Sequence, residues 1–252
     1  SAIADNCRFL LQATQERGPE IRTFMPKWGN INERRNQLHE VIRLTGMNII
    51  VDDTDHPLII KVASIQALRT QVFFILNEDF FRNHLNTRDS AGNEYPDNDE
   101  RTIFFARSVL ETVKKQSWYP DVIHCHGWIG ALTGLYIKTF YKDEPAFRNT
   151  KFVYSLYDDA FAASFPENYL KKVIIKNMEE VDFSDIATPV TYQELSKIAI
   201  RWSDGVIQNS ENTDPALIEY ARSLGKPILE YKTGKEYADA CSDFYNQLYN
   251  QD

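Results

Sequence analysis

The sequence predicts an α/β fold, a Rossmann-like three-layer arrangement in which helices cover both faces of a mostly parallel sheet. Short runs of β-branched and apolar residues alternate with stretches of helical periodicity along most of the 252 residues. Residues 120–134 have the pattern of a strand, a tight turn and a helix in succession. The composition, 43% hydrophobic and 25% charged, is that of an ordinary globular protein. We expect one domain over residues 1–252.

The first part of the chain is predicted to hold a helix, a buried strand and an antiparallel meander. Helical periodicity over residues 5–17 stops at Gly18-Pro19, and residues 20–25 are predicted to form a buried strand that ends at Pro26. Polar turns too short for crossover helices separate three further apolar runs, at residues 47–51, 58–63 and 71–76. This spacing favours an antiparallel meander inserted at the sheet edge over about residues 47–76.

A long polar segment precedes the clearest helix of the sequence. Residues 83–99 contain Gly and Pro and show no helical pattern, which predicts a surface loop. Asn98 or Asp99 is expected to cap the helix that follows. Residues 121–125 then form a strand, and helical periodicity resumes over about residues 127–141.

The alternation of strands and helices continues to the end of the sequence. Pro215 is placed in the first turn of one helix, where its missing N–H costs nothing. The other predicted elements are strands over 152–156, 206–207 and 227–229 and helices over 169–176, 192–202 and 236–248.

The charge balance and the apolar runs disfavour two classes of partner. The chain carries 28 Lys and Arg against 36 Asp and Glu, a net charge of −8, so we expect neither nucleic acid nor an anionic membrane as a partner. Apolar stretches such as residues 58–60 and 173–175 are interrupted by Lys far short of the roughly 20 residues that cross a bilayer.

The cysteines and the first residues indicate a compartment. Cys7, Cys125 and Cys241 are too few and too scattered for a disulfide framework or a clustered zinc site, which fits a reducing environment. The start of the chain, residues 1–5, has neither the basic region nor the apolar core of a signal peptide. We therefore expect a cytoplasmic protein.

Two histidines at the end of a predicted strand are the most informative candidates for a binding site. His124 and His126 lie two residues apart, so they share one side of the strand while Cys125 faces the other. Ligands of open α/β sheets bind beyond the carboxyl ends of strands, where imidazoles can bind an anion or a polyol. Purely structural histidines are the alternative, and a metal site completed by Asp158 or Asp159 is disfavoured because its third ligand is only guessed.

Two further segments combine residue types that suit carbohydrate or phosphate. Asp97 and Asp99 stand at a helix start, where capping and the helix dipole explain acidic residues, although carboxylates at a cleft also bind sugar hydroxyls. Lys27 and Trp28 follow a strand end, and an aromatic beside a cation suits sugar stacking or phosphate binding. A solvated loop anchored by its Trp explains the second segment equally well.

Taken in order along residues 1 to about 210, several motifs resemble the N-terminal domain of bacterial glycogen and starch synthases, glycosyltransferase family 5. Independently of that pattern, Gly127, Gly130 and Gly134 put small residues on one face of the predicted helix, which lets helix and strand approach closely. The motifs are Glu16-Arg17-Gly18, Phe24-Met25-Pro26-Lys27-Trp28-Gly29, Asp97-Asn98-Asp99-Glu100-Arg101 and Asp121-Val-Ile-His124-Cys-His126-Gly-Trp128.

The resemblance implies one half of a GT-B glycosyltransferase. Its N-terminal domain holds the α-1,4-glucan or maltooligosaccharide acceptor and helps to bind the donor ADP-glucose, while a second domain grips most of the nucleotide. Asp97 and His126 match the positions that face the transferred sugar in the family. The family chemistry retains the anomeric configuration without a metal, so no cofactor or metal is implied.

The chain departs from the family pattern at several site positions. Ser1-Ala2-Ile3-Ala4-Asp5 stands where the donor-phosphate loop would read Gly-Gly-Leu-Gly-Asp, and Ser and Ala let phosphate approach the backbone less closely. Gly127 replaces an Asp, and Tyr157-Asp158 replaces a His-Asn pair. After Asn209 only the helix that begins at Pro215, one strand and a last helix follow, so the second GT-B domain is expected to be absent from this chain.

Two functional hypotheses follow from these departures. One is an ADP-glucose-dependent glucosyltransferase that is inactive alone or depends on a partner chain, because half a cleft cannot surround a departing diphosphate. The other is a non-catalytic glucan-binding or regulatory module, which binds through Trp28, Trp128 and nearby tyrosines. A homo-oligomer without a ligand is a third, structural alternative.

Overall fold

The computed structural model of the protein describes residues 1–251. The strands are β1 (Arg22–Pro26), β2 (His39–Glu40), β3 (Asn48–Val51), β4 (Thr54–Pro57), β5 (Ile59–Ile65), β6 (Thr70–Leu76), β7 (Val122–His126), β8 (Lys151–Leu156), β9 (Gly205–Gln208) and β10 (Ile228–Leu229). The helices are α1 (Ala2–Gln15), α2 (Asn98–Lys115), α3 (Thr133–Lys138), α4 (Tyr169–Val173), α5 (Tyr192–Arg201), α6 (Pro215–Ser223) and α7 (Gly234–Tyr249).

Two four-stranded sheets form the centre of the fold. One has the order β10-β9-β8-β7 and is entirely parallel. The other has the order β1-β6-β5-β2, in which β1 and β6 are parallel and the remaining pairs antiparallel. β1 and β7 stand at sheet ends, so within residues 1–251 each has one edge without a strand partner.

Buried side chains form three clusters that explain the layers. The largest lies on one face of both sheets and joins them through α2, whose Phe104 and Leu110 are fully buried. The opposite face of the parallel sheet packs against α1 and α7, and Val153 and Cys241 are part of that cluster. A small third cluster covers the corresponding face of the other sheet. The predicted α/β/α arrangement with mostly parallel pairing is confirmed.

The meander prediction is only partly correct. β5 and β6 pair antiparallel as expected, but β6 also pairs with β1 in parallel and is therefore an interior strand of its sheet. β3 does not join that sheet and instead forms a separate hairpin with β4. Asp52 and Asp53 make this hairpin possible, because both adopt the positive φ angles, 47° and 62°, that a two-residue turn requires. The polar sequence of β4 gave no strand signal.

Three helix boundaries also differ from the predictions. The residue before α2 is Asp97 rather than Asn98 or Asp99, and its side chain caps no helix N–H because it pairs with Arg101. The segment predicted as one helix over 127–141 is a 3₁₀ turn followed by the short α3, which ends where Thr139 leaves helical backbone angles. α4 likewise ends at Val173, because Ile174 is extended.

Several other elements agree with the sequence pattern. α5 spans Tyr192–Arg201, and the Thr191 hydroxyl accepts a hydrogen bond from the Glu194 N–H at its start. Pro215 occupies the first turn of α6, with Asp214 as the capping residue. None of the described helices is both long and apolar enough to cross a bilayer.

Candidate functional site

The carboxyl ends of β7 and β8 bring His124, His126 and Tyr157 together. The two strands are parallel neighbours with His126 opposite Ser155, so Tyr157 follows at the same edge of the sheet. The imidazoles of His124 and His126 stack with centroids 3.9 Å apart, which confirms that they share one side of the strand. Cys125 packs against the large core cluster on the other side, as predicted.

Both ring nitrogens of His124 are occupied. Nδ1 lies 2.5 Å from the Tyr245 hydroxyl of α7, and Nε2 lies 2.5 Å from the Ser155 hydroxyl of β8. Burial, followed by the neighbouring His126, lowers the pKa of His124 well below its ordinary value. His124 is therefore a neutral, fixed group that supports the second imidazole.

His126 is held through only one of its nitrogens. Nδ1 lies 2.8 Å from the Tyr157 hydroxyl, which is the one hydrogen bond of the ring within residues 1–251, so Nε2 has no partner there. The Asn6 side-chain amide of α1 donates to the same hydroxyl over 3.4 Å. Burial lowers the pKa of His126 to about 4, so the ring is neutral at pH 7. Nε2 is thus the imidazole atom available to a ligand.

Asp159 organises the turn that follows β7. One carboxylate oxygen accepts the Trp128 N–H at 3.3 Å, and the other accepts the Tyr192 hydroxyl at 2.7 Å. Burial raises the pKa of this carboxyl. Gly127 has a φ of 85°, and a Cβ there would lie 2.9 Å from Ile3 Cδ1 of α1. Glycine therefore suits both the backbone angle and the close approach of α1.

The structure places the neighbouring residue Asp158 on the surface, next to this cluster. The metal alternative required a third ligand beside His124 and His126. No group of three or more His, Cys, Asp or Glu side chains in residues 1–251 is arranged to hold a metal ion.

Both candidate tryptophans pack against aromatic side chains. Trp128 is buried in edge contact with Phe161, at a centroid distance of 4.9 Å, and also lies near Phe165. Trp28 contacts Phe81 edge-on at 5.0 Å and is partly buried against the large core cluster. In this conformation the tryptophan rings serve packing, and stacking on a sugar would use only what remains exposed.

The charged candidates are engaged in ion pairs. Lys27 is buried, and its ammonium lies 3.6 Å from Glu33, which also binds Lys61. The Asp99 carboxylate is buried and lies 2.9 Å from the Lys172 ammonium. Each of these two sequence candidates is thus already paired with an oppositely charged side chain.

Asp97 is the more accessible of the two acidic candidates at the start of α2, with 38% of its side chain exposed. It pairs with Arg101, a fully buried cation. The Arg101 Nε also donates to the Phe80 carbonyl over 2.9 Å, and its guanidinium lies 5.2 Å from the Tyr95 ring. Arg101 therefore fixes Asp97 at the start of α2.

The sequence candidates thus fall into three places. His124, His126, Trp128, Tyr157 and Asp158 gather beyond β7 and β8, Asp97 and Asp99 lie at the start of α2, and Lys27 and Trp28 follow β1. No hydrogen bond or ion pair within the described residues joins one group directly to another. Sequence reasoning missed Asn6, Tyr192 and Tyr245, whose contacts with this region span 33 to 151 residues of sequence.

Comparison with known proteins decides the family. The family model described as starch synthase catalytic domain matches residues 1–222, most of the chain. The chain belongs to this family. The resemblance drawn from the motifs around Asp97 and His126 is confirmed at the level of the family.

Curated members of the starch synthase family show the same relationship. A glycogen synthase of Chlorobium luteolum is 37% identical over 175 residues, which cover 69% of this chain and 36% of the relative. A glycogen synthase of Chlorobaculum tepidum is 33% identical over 252 residues, 99% of this chain and 49% of the relative. The chain therefore spans half or less of these relatives.

A solved structure supports the fold. The catalytic domain of starch synthase IV from Arabidopsis thaliana, bound to ADP and acarbose, matches with a TM-score of 0.71 at 18% identity. The match covers 93% of this chain and 48% of that one. The fold of this family member is thus that of one half of a GT-B starch synthase domain.

The buried histidines predict a loss of stability in mild acid. The pKa of His126 is about 4 in the folded chain and about 6.5 when exposed, so the unfolded state binds more protons between these values. The stabilisation is complete above pH 6.5 and is lost as the pH falls toward 4. We expect up to roughly 3 kcal/mol of stability to disappear over that window.

Urea unfolding at pH 7, 5.5 and 4.5 measures this dependence. In His126→Gln the free energy of unfolding should depend less on pH than in the wild type. His39→Gln, at an exposed position, should leave that pH dependence unchanged. Equal slopes for the wild type and His126→Gln would show that the imidazole is not buried in its neutral form.

Proposed function

We propose that this chain is an α-glucan-binding lobe of the glycogen and starch synthase type, and that the isolated chain transfers no glucose. Membership of the family supports the first part. The observation that carries it is the cluster of polar groups beyond β7 and β8, the edge at which open α/β sheets bind ligands. The unpaired Nε2 of His126 and the exposed Asp158 lie there.

Hydrogen-bonding groups that carry no positive charge suit sugar hydroxyls better than phosphate. A neutral imidazole and a carboxylate offer a donor and an acceptor to a polyol, and Asp97 offers a second accessible carboxylate. Anionic ligands such as a phosphate bind such a site poorly because it has little positive charge to offer. An uncharged maltooligosaccharide therefore fits this edge of the sheet.

The cations of the chain support the second part of the proposal. Transfer from ADP-glucose requires cationic or N–H donors that converge on the departing diphosphate in a closed cleft. Lys27, after β1, and Lys172, beside the start of α2, are each paired with a carboxylate. These ammonium groups are not preorganised for a diphosphate. A second lobe, from a partner chain or a longer chain, would supply that charge.

Electrophoresis in native gels with and without glycogen tests glucan binding. We expect the wild-type chain to be retarded by glycogen and His126→Ala to be retarded less. His39→Ala, at an exposed position outside the cluster, is the matched control and should migrate as the wild type does. Unaltered migration of the wild type in glycogen would contradict the proposed binding.

Calorimetry and an activity assay separate donor from acceptor. We expect heat of binding with maltoheptaose, none with ADP-glucose or ADP, and no incorporation of labelled glucose into glycogen by the isolated chain. Tight binding of ADP-glucose, or robust incorporation, would contradict the second part of the proposal while leaving glucan binding intact.

The compartment is also part of the proposal. Cys7, Cys125 and Cys241 are free thiols in the structure, which supports a cytoplasmic location. Burial raises the pKa of the Cys7 and Cys241 thiols to about 12, so both are protonated and unreactive at neutral pH.

A further inference from the structure

Two hydrogen bonds connect three side chains, from α1 to the carboxyl ends of β7 and β8. The Asn6 amide nitrogen lies 3.4 Å from the Tyr157 hydroxyl, and that hydroxyl lies 2.8 Å from His126 Nδ1. Tyr157 is buried, with 3% of its surface exposed, so its hydroxyl has little access to water. The direction of these two hydrogen bonds determines whether His126 Nε2 carries a proton.

Counting donors gives that direction. A tyrosine hydroxyl has one proton to donate and can accept at its oxygen. Because the Asn6 amide donates to the oxygen, the single proton of Tyr157 is left for His126 Nδ1, the other neighbour within hydrogen-bond distance. A neutral imidazole that accepts at Nδ1 carries its proton at Nε2.

We infer that Tyr157 is a positioning residue that fixes His126 as the neutral Nε2–H tautomer, so that the ring offers a hydrogen-bond donor to a sugar oxygen. The inference rests on the proposed function only for the identity of the ligand. The tautomer itself belongs to the free chain and can be measured without any ligand. Tyr157 thus acts through His126 and does not touch the sugar.

Burial supports the same assignment. It raises the pKa of the Tyr157 hydroxyl, which keeps its proton at all ordinary pH values, and it lowers the pKa of His126. A protonated tyrosine beside a neutral histidine is the pair of states that the proton count requires. The stacked His124 ring cannot compete for the Tyr157 proton, because its nitrogens bind Tyr245 and Ser155.

Long-range ¹H–¹⁵N correlation spectra of the imidazoles test the tautomer directly. The cross-peaks of His126 are assigned by their loss in His126→Gln. We expect the wild type to show an unprotonated Nδ1 and a protonated Nε2. A wild-type His126 protonated at Nδ1 would overturn the inference, whatever the chain does with glucans.

Tyr157→Phe removes the donor to Nδ1 and keeps the ring. We expect the ratio of Nε2–H to Nδ1–H tautomers to fall about two- to tenfold, the effect of one lost hydrogen bond. The pKa of His126 should also rise toward its ordinary value, because the neutral form loses a partner. Tyr245→Phe is the matched control, since its hydroxyl serves His124, and should leave the His126 tautomer unchanged.

Asn6→Asp should reverse the direction of these hydrogen bonds while it keeps the shape of the side chain. A carboxylate at this half-buried position on α1 accepts the Tyr157 proton, so Tyr157 must accept from His126, and the tautomer should switch to Nδ1–H. A structural role for Tyr157 alone predicts no such switch. Unchanged tautomers in both Tyr157→Phe and Asn6→Asp would overturn the inference, and a switch in Asn6→Asp supports it even if Tyr157→Phe does not fold.

Discussion

Replacing Lys172 with Met is expected to destabilise the chain by about 3–5 kcal/mol. Its ammonium lies 2.9 Å from the Asp99 carboxylate, and the two side chains are 10% and 1% exposed. The second oxygen of Asp99 is buried without a hydrogen-bond partner in residues 1–251, so Lys172 supplies the compensating charge for this carboxylate. Removing the ammonium leaves a charge buried between α2 and α4, and the midpoint of urea unfolding should fall accordingly.

Two further variants identify the cause of that loss of stability. Lys171→Met removes a charge from the neighbouring exposed position and should change stability by less than about 0.5 kcal/mol. Asp99→Leu combined with Lys172→Met removes both charges and should recover most of the loss, because buried pairs replaced by apolar groups are often neutral. If Lys172→Met and Lys171→Met unfold at the same urea concentration, the pair is not buried.

The parts of the fold that sequence predicts are those decided by local chemistry. α5 was predictable because its apolar residues repeat at helical spacing and Thr191 is a good cap, and α6 because Pro215 fits only a first turn. The strand that carries His124 and His126 was predictable for the same reason, since a two-residue repeat decides which side chains share a face.

The hairpin of β3 and β4 and the partners of the charged residues were not predictable in this way. A polar strand such as β4 is stabilised by its pairing with β3, which its own four residues do not encode. Lys27 follows a strand end, where a cation is free to bind a ligand, yet in the structure it is buried and pairs with the partly exposed Glu33. Residue type alone does not distinguish a cation that is free to bind a ligand from one that is already paired with a carboxylate.

The candidate site likewise has features that the local sequence predicts and features that depend on distant contacts. The sequence places two imidazoles at a strand end, and the resemblance marks His126, but the role of Tyr157 depends on Asn6, 151 residues away in sequence. Trp128 has the sequence context of a ligand-stacking residue, whereas Phe161 and Phe165 bury it. Contacts of this kind arise only when β7, β8, α1 and the loop after β8 meet.

Gly134 provides the second large effect, because a side chain at this position has no room. A Cβ there would lie 2.4 Å from Phe152 Cδ1 and 2.8 Å from the Trp202 carbonyl oxygen. Removing a helix glycine ordinarily gains up to about 1 kcal/mol, since glycine is a poor helix former. At Gly134 the clash should reverse that sign, and we expect Gly134→Val to lose about 3 kcal/mol or more in urea unfolding.

A graded series distinguishes the clash from helix propensity. Gly134→Ala should lose less than Gly134→Val, and Gly130→Ala, whose Cβ would lie 3.2 Å from the Cys125 sulfur, should change stability by about 1 kcal/mol or less. The Phe152 ring and the Trp202 carbonyl flank Gly134 from two elements, so neither can yield without moving β8 or the end of α5. A Gly134→Val chain as stable as the wild type would mean that α3 does not press on β8, and the placement of the His126 turn ahead of it would need revision.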